Sequence, residues 1–301
     1  MSELPVLALD VGGTKIAAAL VGGGRVLRHV QRPTGDPWAS VVAVLDEARD
    51  GRPVRGVGIG CGGPLDPVAG TVSPINLPAW DGFPLRERVA ALLPGVPVEL
   101  AGDAVCTALG EARHGAGRGT ADLLGVVVST GVGGGLIAGG RPVPGRTGNA
   151  GHVGHMVVAA DGAGCPCGGR GCLETVASGP SLVRWARSQG WDGTDAADLA
   201  AAGGPVARAA FRRGGLALGR ALVSAAAVCD VDLVVVGAGC PGRGRCCSIR
   251  CARPSRRTRG CRSSARCGSC PRGRGRGWWG PRSSSTGRPT APTSTLDTPL
   301  V

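Results

Sequence analysis

Four residues near the middle of the chain carry its clearest chemistry: His155, Cys165, Cys167 and Cys172. Three thiols on a C-x-C-x4-C spacing, with an imidazole upstream, supply the four donors of a closed tetrahedral zinc site. Such a site is structural. A disulfide is disfavoured because the body of the chain reads as cytosolic, where thiols stay reduced. His152 and Glu174 flank the donors and are left to hydrogen-bond a polar ligand. The plainer alternatives are an exposed histidine and a glutamate at a helix start.

Asp103 is the candidate general base. It follows the apolar run Val96 to Leu100 and Ala101-Gly102, and it precedes an Ala-rich helical stretch from Ala104 to Ala112. A carboxylate between strand end and helix start can accept a hydroxyl proton. Asp is also a common helix N-cap, and residue type alone favours the cap.

Two glycine turns could receive an anion. Asp10-Val11-Gly12-Gly13-Thr14-Lys15 lies between the strand Val6 to Asp10 and the alternation Ile16, Ala18, Leu20. Ser129-Thr130-Gly131-Val132-Gly133-Gly134-Gly135 follows the strand Leu123 to Val128. Backbone N–H groups without a Cβ in the way can approach phosphate closely. A single glycine hairpin is common and serves as a plain turn, but two such units a domain apart suit a nucleotide gripped from both sides of a cleft.

Together these motifs resemble the ROK family of sugar kinases and repressors, within the hexokinase and actin-like ATPases. The resemblance rests on D-V-G-G-T-K at Asp10 to Lys15, S-T-G-V-G-G-G at Ser129 to Gly135, G-H-V-G-H at Gly151 to His155, and the cysteine run ending at Glu174, and it covers about residues 4 to 239. It implies an α/β fold with two domains, hexokinase-type and ribonuclease H-like. It also implies ATP and Mg²⁺ as cofactors, structural zinc, and a hexose phosphorylated on its 6-hydroxyl, glucose first. Asp103 then becomes the base rather than a cap. Asp10, Gly12, Gly13, Thr14 and Lys15, with Thr130, Gly131, Gly133 and Gly134, would face the nucleotide. Asn76, Gly102, Asp103, His152, His155 and Glu174 would face the sugar, Asn76 lying in the N-L-P-x-W-like stretch before Trp80.

Two positions depart from the family pattern. Gly102 stands where the family usually has Asn, and His152 where it usually has Glu in G-E-x-G-H. The second change resembles N-acetylmannosamine kinases, so that sugar is the alternative substrate. Relatives that act as sugar-responsive repressors carry a DNA-binding domain ahead of the first turn, for which the residues before Asp10 leave no room.

These residues need elements to hold them, and 301 residues suffice for two domains. The expected division is a small α/β domain over 1–120, a larger one with the zinc loop over 121–239, and an aberrant tail over 240–301. No apolar run reaches the roughly 18 residues of a membrane span, so a cytoplasmic protein without membrane partners is expected. Family resemblance allows a homodimer or homotetramer. Cys61, Cys106 and Cys229 read as ordinary buried thiols.

The net charge of +13 belongs to the tail, where residues 240–301 hold 14 of the 34 basic and one of the 21 acidic residues. Seven of the 13 cysteines also lie there. A nucleic-acid-binding arm and a cysteine-rich metal module are two readings of this composition, neither supported by a regular spacing. The third is a reading-frame slip near residues 237–240. Trp has a single codon, so Trp278-Trp279-Gly280 read one base earlier becomes Leu, Met or Val, then Val, then Gly. Gly239 to Arg250 can likewise be re-read as Gly-Val-Ser-Arg-Ala-Gly-Pro-Leu-Leu-Phe-Asp-Pro. On this reading the tail is not an evolved structure, and loss of the adenine-side wall would leave this chain inactive.

Overall fold

The computed structural model describes residues 3–238 and 247–250. The chain opens with a meander, β1 (Val6–Val11), β2 (Lys15–Gly22) and β3 (Arg25–Pro33), followed by helix α1 (Pro37–Arg49) and strand β4 (Val57–Cys61). A short hairpin, β5 (Leu65–Asp66) and β6 (Thr71–Val72), leads to α2 (Leu85–Leu92), β7 (Val98–Gly102) and α3 (Asp103–Arg113). These strands form a five-stranded sheet in the order β3-β2-β1-β4-β7. The meander pairs antiparallel, whereas β1, β4 and β7 run parallel.

The pattern then recurs. A second meander, β8 (Leu123–Val128), β9 (Val132–Ala138) and β10 (Arg141–Val143), precedes the zinc-type loop and helices α4 (Glu174–Ala177), α5 (Gly179–Ser188), α6 (Ala196–Ala202) and α7 (Gly204–Cys229). Strand β11 (Leu233–Ala238) pairs parallel with β8, and β12 (Cys247–Arg250) pairs antiparallel with β11. The second sheet is therefore ordered β10-β9-β8-β11-β12. Strand β12 falls in the segment that the sequence reading assigns to the slipped tail; the rest of that segment lies outside the described residues.

Alternation along the strands decides what each sheet buries. Leu7, Leu9 and Val11 of β1 join Ile16, Ala18 and Leu20 of β2, and Val41, Val44 and Leu45 of α1, in one buried cluster. Burying each such aliphatic side chain contributes about 1.5–3 kcal/mol. Asp36 caps α1 by accepting the Ala39 N–H at 3.0 Å, with Pro37 in its first turn.

Helix α3 packs on the second sheet: Val105, Ala108 and Leu109 cluster with Leu123, Ile137, Leu233 and Val235. Glycine makes this approach possible. A Cβ on Gly125 would lie 2.5 Å from Ala108 Cβ, and one on Gly135 would lie 2.6 Å from Val105 Cα. Among the described residues, no helix is long and apolar enough to cross a membrane.

Candidate active site

Asp103 ends the first sheet and starts the contact with the second. The last residue of β7, Gly102, is the N-cap of α3, and Asp103 is the first helical residue rather than the cap itself. Its Oδ1 accepts the Ala104 N–H at 2.6 Å, and the residue is exposed. An added Cβ at Gly102 would meet only Leu65 and Val105, at 3.8 and 4.0 Å. The backbone there does not require glycine.

Asp10 lies at the end of neighbouring β1, two strands from Asp103 in the order β1-β4-β7. Water reaches it, yet its carboxyl is held above the ordinary 3.8, first by desolvation and then by the charge of Asp103, with Lys15 pulling the other way. The two carboxylates thus sense each other across the strand ends. The turn between β1 and β2 is closed by Gly12 N–H donating to Lys15 C=O at 3.1 Å. Gly13 and Thr14 are exposed at its tip. A Cβ on Gly13 would fall 2.3 Å from Asn76 Cβ, so the residue read as a sugar contact is packed against this turn.

The second turn is narrower than its sequence suggests. Ser129 N–H donates to Gly131 C=O at 2.8 Å, leaving Thr130 exposed at the tip. Gly133 and Gly134 lie within β9. A Cβ on Gly133 would sit 3.0 Å from Ala104 Cβ, and one on Gly134 would sit 2.1 Å from the Gly151 carbonyl oxygen. Glycine at these two positions is thus accounted for by packing against α3 and the histidine loop. Glu174, at the start of α4, reaches the same turn: its Oε2 accepts the Val132 N–H at 2.8 Å.

His152 and His155 bracket a short 3-10 turn, Val153–His155, with their rings stacked at 4.8 Å and 11°. Burial, then the neighbouring His155, push His152 below its ordinary 6.5, against opposing pulls that include Glu174 and Asp103. Both causes favour the uncharged ring. Its buried Nδ1 has no hydrogen-bond partner among the described residues.

The four zinc-type donors come together. Their ligand atoms all lie within 4.8 Å of one another. His155 Nδ1 is 3.6 Å from Cys165 Sγ, and Cys167 Sγ is 3.7 Å from Cys172 Sγ. A tetrahedron with Zn–S of about 2.3 Å and Zn–N of about 2.0 Å has S···S edges of about 3.8 Å and N···S edges of about 3.5 Å. Donor chemistry and spacing therefore fit zinc. The loop is tied by Cys165 N–H to Gly169 C=O at 2.8 Å and by bridges Val157↔Cys172 and Gly164↔Arg170. At Gly171, φ is +68° and a Cβ would collide with the Ala159 carbonyl, so glycine alone closes the loop.

Of the remaining cysteines before residue 239, Cys61 is buried, whereas Cys106 and Cys229 are half-buried. The link from Glu174 to Val132 was not legible in the sequence, since no spacing rule joins residues so far apart.

Comparison with known proteins identifies the family. A glucokinase from Thermotoga maritima is 37% identical over 196 residues, covering 62% of this chain and 61% of the relative. An N-acetylmannosamine kinase from Vibrio cholerae is 34% identical over 240 residues, covering 77% and 83%. The crystal structure of a ROK hexokinase from Thermus thermophilus superposes with a TM-score of 0.71 at 36% identity, covering 78% of this chain and 82% of that one. A Streptomyces griseus ROK glucokinase, solved with glucose and AMPPNP, gives 0.66 at 35% identity, with 78% and 83% covered. The ROK family profile matches residues 6–250, and the chain belongs to the ROK family.

Proposed function

We propose that this ROK-family sugar kinase transfers the γ-phosphoryl group of ATP to the 6-hydroxyl of a hexose, with glucose as the first candidate. What supports the reading is that Asp103 at the start of α3 senses Asp10 beside the Gly12 to Lys15 turn, while His152 senses both Asp103 and Glu174, the residue bonded to the second turn's Val132. In phosphoryl transfer the protein mainly positions groups and stabilises charge. Asp103 would accept the hydroxyl proton as the new O–P bond forms and the bond to ADP breaks. N–H groups of Gly12, Gly13 and Thr14, with those of Thr130 and Gly131, would line the phosphates. Lys15 and Asp10 would face the nucleotide and its Mg²⁺, which neutralises phosphate charge when bound.

Asn76, His152, His155 and Glu174 would surround the sugar. Zinc on His155, Cys165, Cys167 and Cys172 would hold the loop that presents them, acting on orientation rather than on the reacting bond. Closure of the unit over 1–120 on that over 121–239 would exclude water.

A second reading, an N-acetylmannosamine kinase, is favoured by the buried Nδ1 of His152, which has no partner among the described residues and could accept an N–H or O–H from an acylamino sugar. A coupled ADP-release assay across glucose, mannose, N-acetylglucosamine and N-acetylmannosamine, run on the chain and on a frame-repaired version, separates the two. Glucose is expected to give the highest kcat/KM, and Asp103→Asn to abolish turnover. Full turnover in Asp103→Asn would dismiss the base.

A further inference from the structure

Thr34 is a buried polar residue, with 6% of its surface exposed, and a hydroxyl in such a place needs a partner. It directly follows β3, whose last residue, Pro33, pairs with Lys15 of β2. Its two donors both go to the first glycine turn. The Oγ1 hydroxyl donates to the Gly12 carbonyl at 2.9 Å, and the N–H donates to the Thr14 carbonyl at 3.1 Å. Thr34 is held in turn from α1, where the Ser40 hydroxyl donates to the Thr34 carbonyl at 3.0 Å.

These bonds change what the turn can offer a ligand. In a plain four-residue turn the first carbonyl accepts the N–H of the fourth residue. Here Gly12 N–H donates to Lys15 C=O, but among the described residues the Gly12 carbonyl accepts the Thr34 hydroxyl and no backbone N–H. A trans peptide is planar, with its C=O and N–H pointing opposite ways. Anchoring the Gly12 carbonyl on buried Thr34 therefore aims the Gly13 N–H away from the protein. Gly13 is exposed, and its N–H and that of Thr14 donate to no acceptor among the described residues. A flip of the Gly12–Gly13 peptide would present a carbonyl oxygen to an anion, and the bond to Thr34 opposes it. The second turn is tied by backbone instead, its Ser129 carbonyl accepting the Gly179 N–H at 2.8 Å. The first turn thus depends on a single side-chain hydroxyl.

We propose that Thr34 is a positioning residue of the first turn: its hydroxyl fixes the Gly12 carbonyl so that the Gly13 N–H stays turned toward a nucleotide phosphate. The assignment rests on reading Gly12 to Lys15 as a phosphate turn, and its test separates the two.

Thr34→Val keeps the shape and the backbone N–H but loses the hydroxyl, whereas Thr34→Ser keeps the hydroxyl and loses a methyl group. Both should melt below the parent, since one strands a buried carbonyl and the other leaves a small void. Binding should not follow melting. Titration calorimetry with AMPPNP and Mg²⁺ should show nucleotide affinity falling about fivefold in Thr34→Val and staying parental in Thr34→Ser. Parental affinity in Thr34→Val, or affinity that tracks melting temperature in both variants, would overturn the assignment. Hydrogen exchange of the peptide spanning residues 10–16, read without nucleotide, is the second arm. Exchange at Gly12 should quicken in Thr34→Val and not in Thr34→Ser. If neither the parent nor a frame-repaired version binds AMPPNP, the phosphate reading fails, and exchange decides the strap on its own. Faster exchange confined to Thr34→Val then sustains it, and equal exchange in the three chains overturns it.

Discussion

Glu174 Oε2 accepts the backbone N–H of Val132 at 2.8 Å, which ties the residue after the cysteine run to the second glycine turn. A Cβ on Gly131 would lie 2.7 Å from the same oxygen, so the contact is close on both sides of the peptide. Anything that orders the metal loop therefore also orders the turn proposed to hold phosphate. A hydrogen bond to a charged partner contributes about 1.5–3 kcal/mol. Glu174→Ala should lower the melting temperature by several degrees and raise the KM for both sugar and ATP. Glu174→Gln keeps an oxygen for the Val132 N–H, so it should melt close to the parent and raise mainly the sugar KM. Thermal melts with two-substrate kinetics would check both. A Gln variant as unstable as the Ala variant would mean that charge, not the acceptor, holds the turn.

Gly102 is a position where the chain lacks a side chain it has room for. An added Cβ meets Leu65 and Val105 only at ordinary contact distance, and φ at this residue is −64°, open to any amino acid. Gly102→Asn should thus fold normally and place an amide beside Asp103. One gained hydrogen bond of about 1 kcal/mol lowers the sugar KM about fivefold, with kcat little changed. Isothermal titration with sugar alone would isolate the binding part.

The elements were legible where one physical signal dominates. The apolar run at Leu123–Val128 is strand β8 at the bounds read from sequence, and the donor spacing brought four ligand atoms together as expected. Boundaries moved where signals compete: the strand read from Val96 begins at Val98, after Pro97, since proline cannot donate to a sheet ladder. The glycines of Ser129 to Gly135 were ambiguous because phosphate approach and close packing both require a missing Cβ. Only the positions of Ala104 and the Gly151 carbonyl assign Gly133 and Gly134 to packing.

The zinc reading makes a stoichiometric prediction. Purified chain should carry one zinc, measured by plasma mass spectrometry, and Cys165→Ser should carry none. Cys165 is buried and 3.6 Å from His155 Nδ1, so its loss frees the ring that stacks on His152. Because the metal orients the sugar side, its removal by chelator should weaken sugar binding about tenfold and leave ATP binding less affected. Equal loss of both would mean that the Glu174 to Val132 link carries the metal's effect on to the phosphate turn in full.

Asp10 is expected to trade stability against the proposed activity. Its folded pKa is raised above 3.8 by desolvation and by Asp103. A raised carboxyl binds its proton more tightly in the folded state, so its favourable contribution is complete below the unfolded pKa and is lost as pH rises through the folded one. At neutral pH the ionised group therefore weakens the fold. Asp10→Asn should raise the melting temperature at pH 7, and the gain should shrink as pH falls towards 4. The same variant lacks the carboxylate proposed to face the nucleotide's Mg²⁺, so turnover should fall while the protein becomes more stable. Melts from pH 4 to 8 and an activity assay at pH 7 would test the two halves together. A variant less stable than the parent at pH 7 would show that Lys15, not Asp103, governs the environment of Asp10.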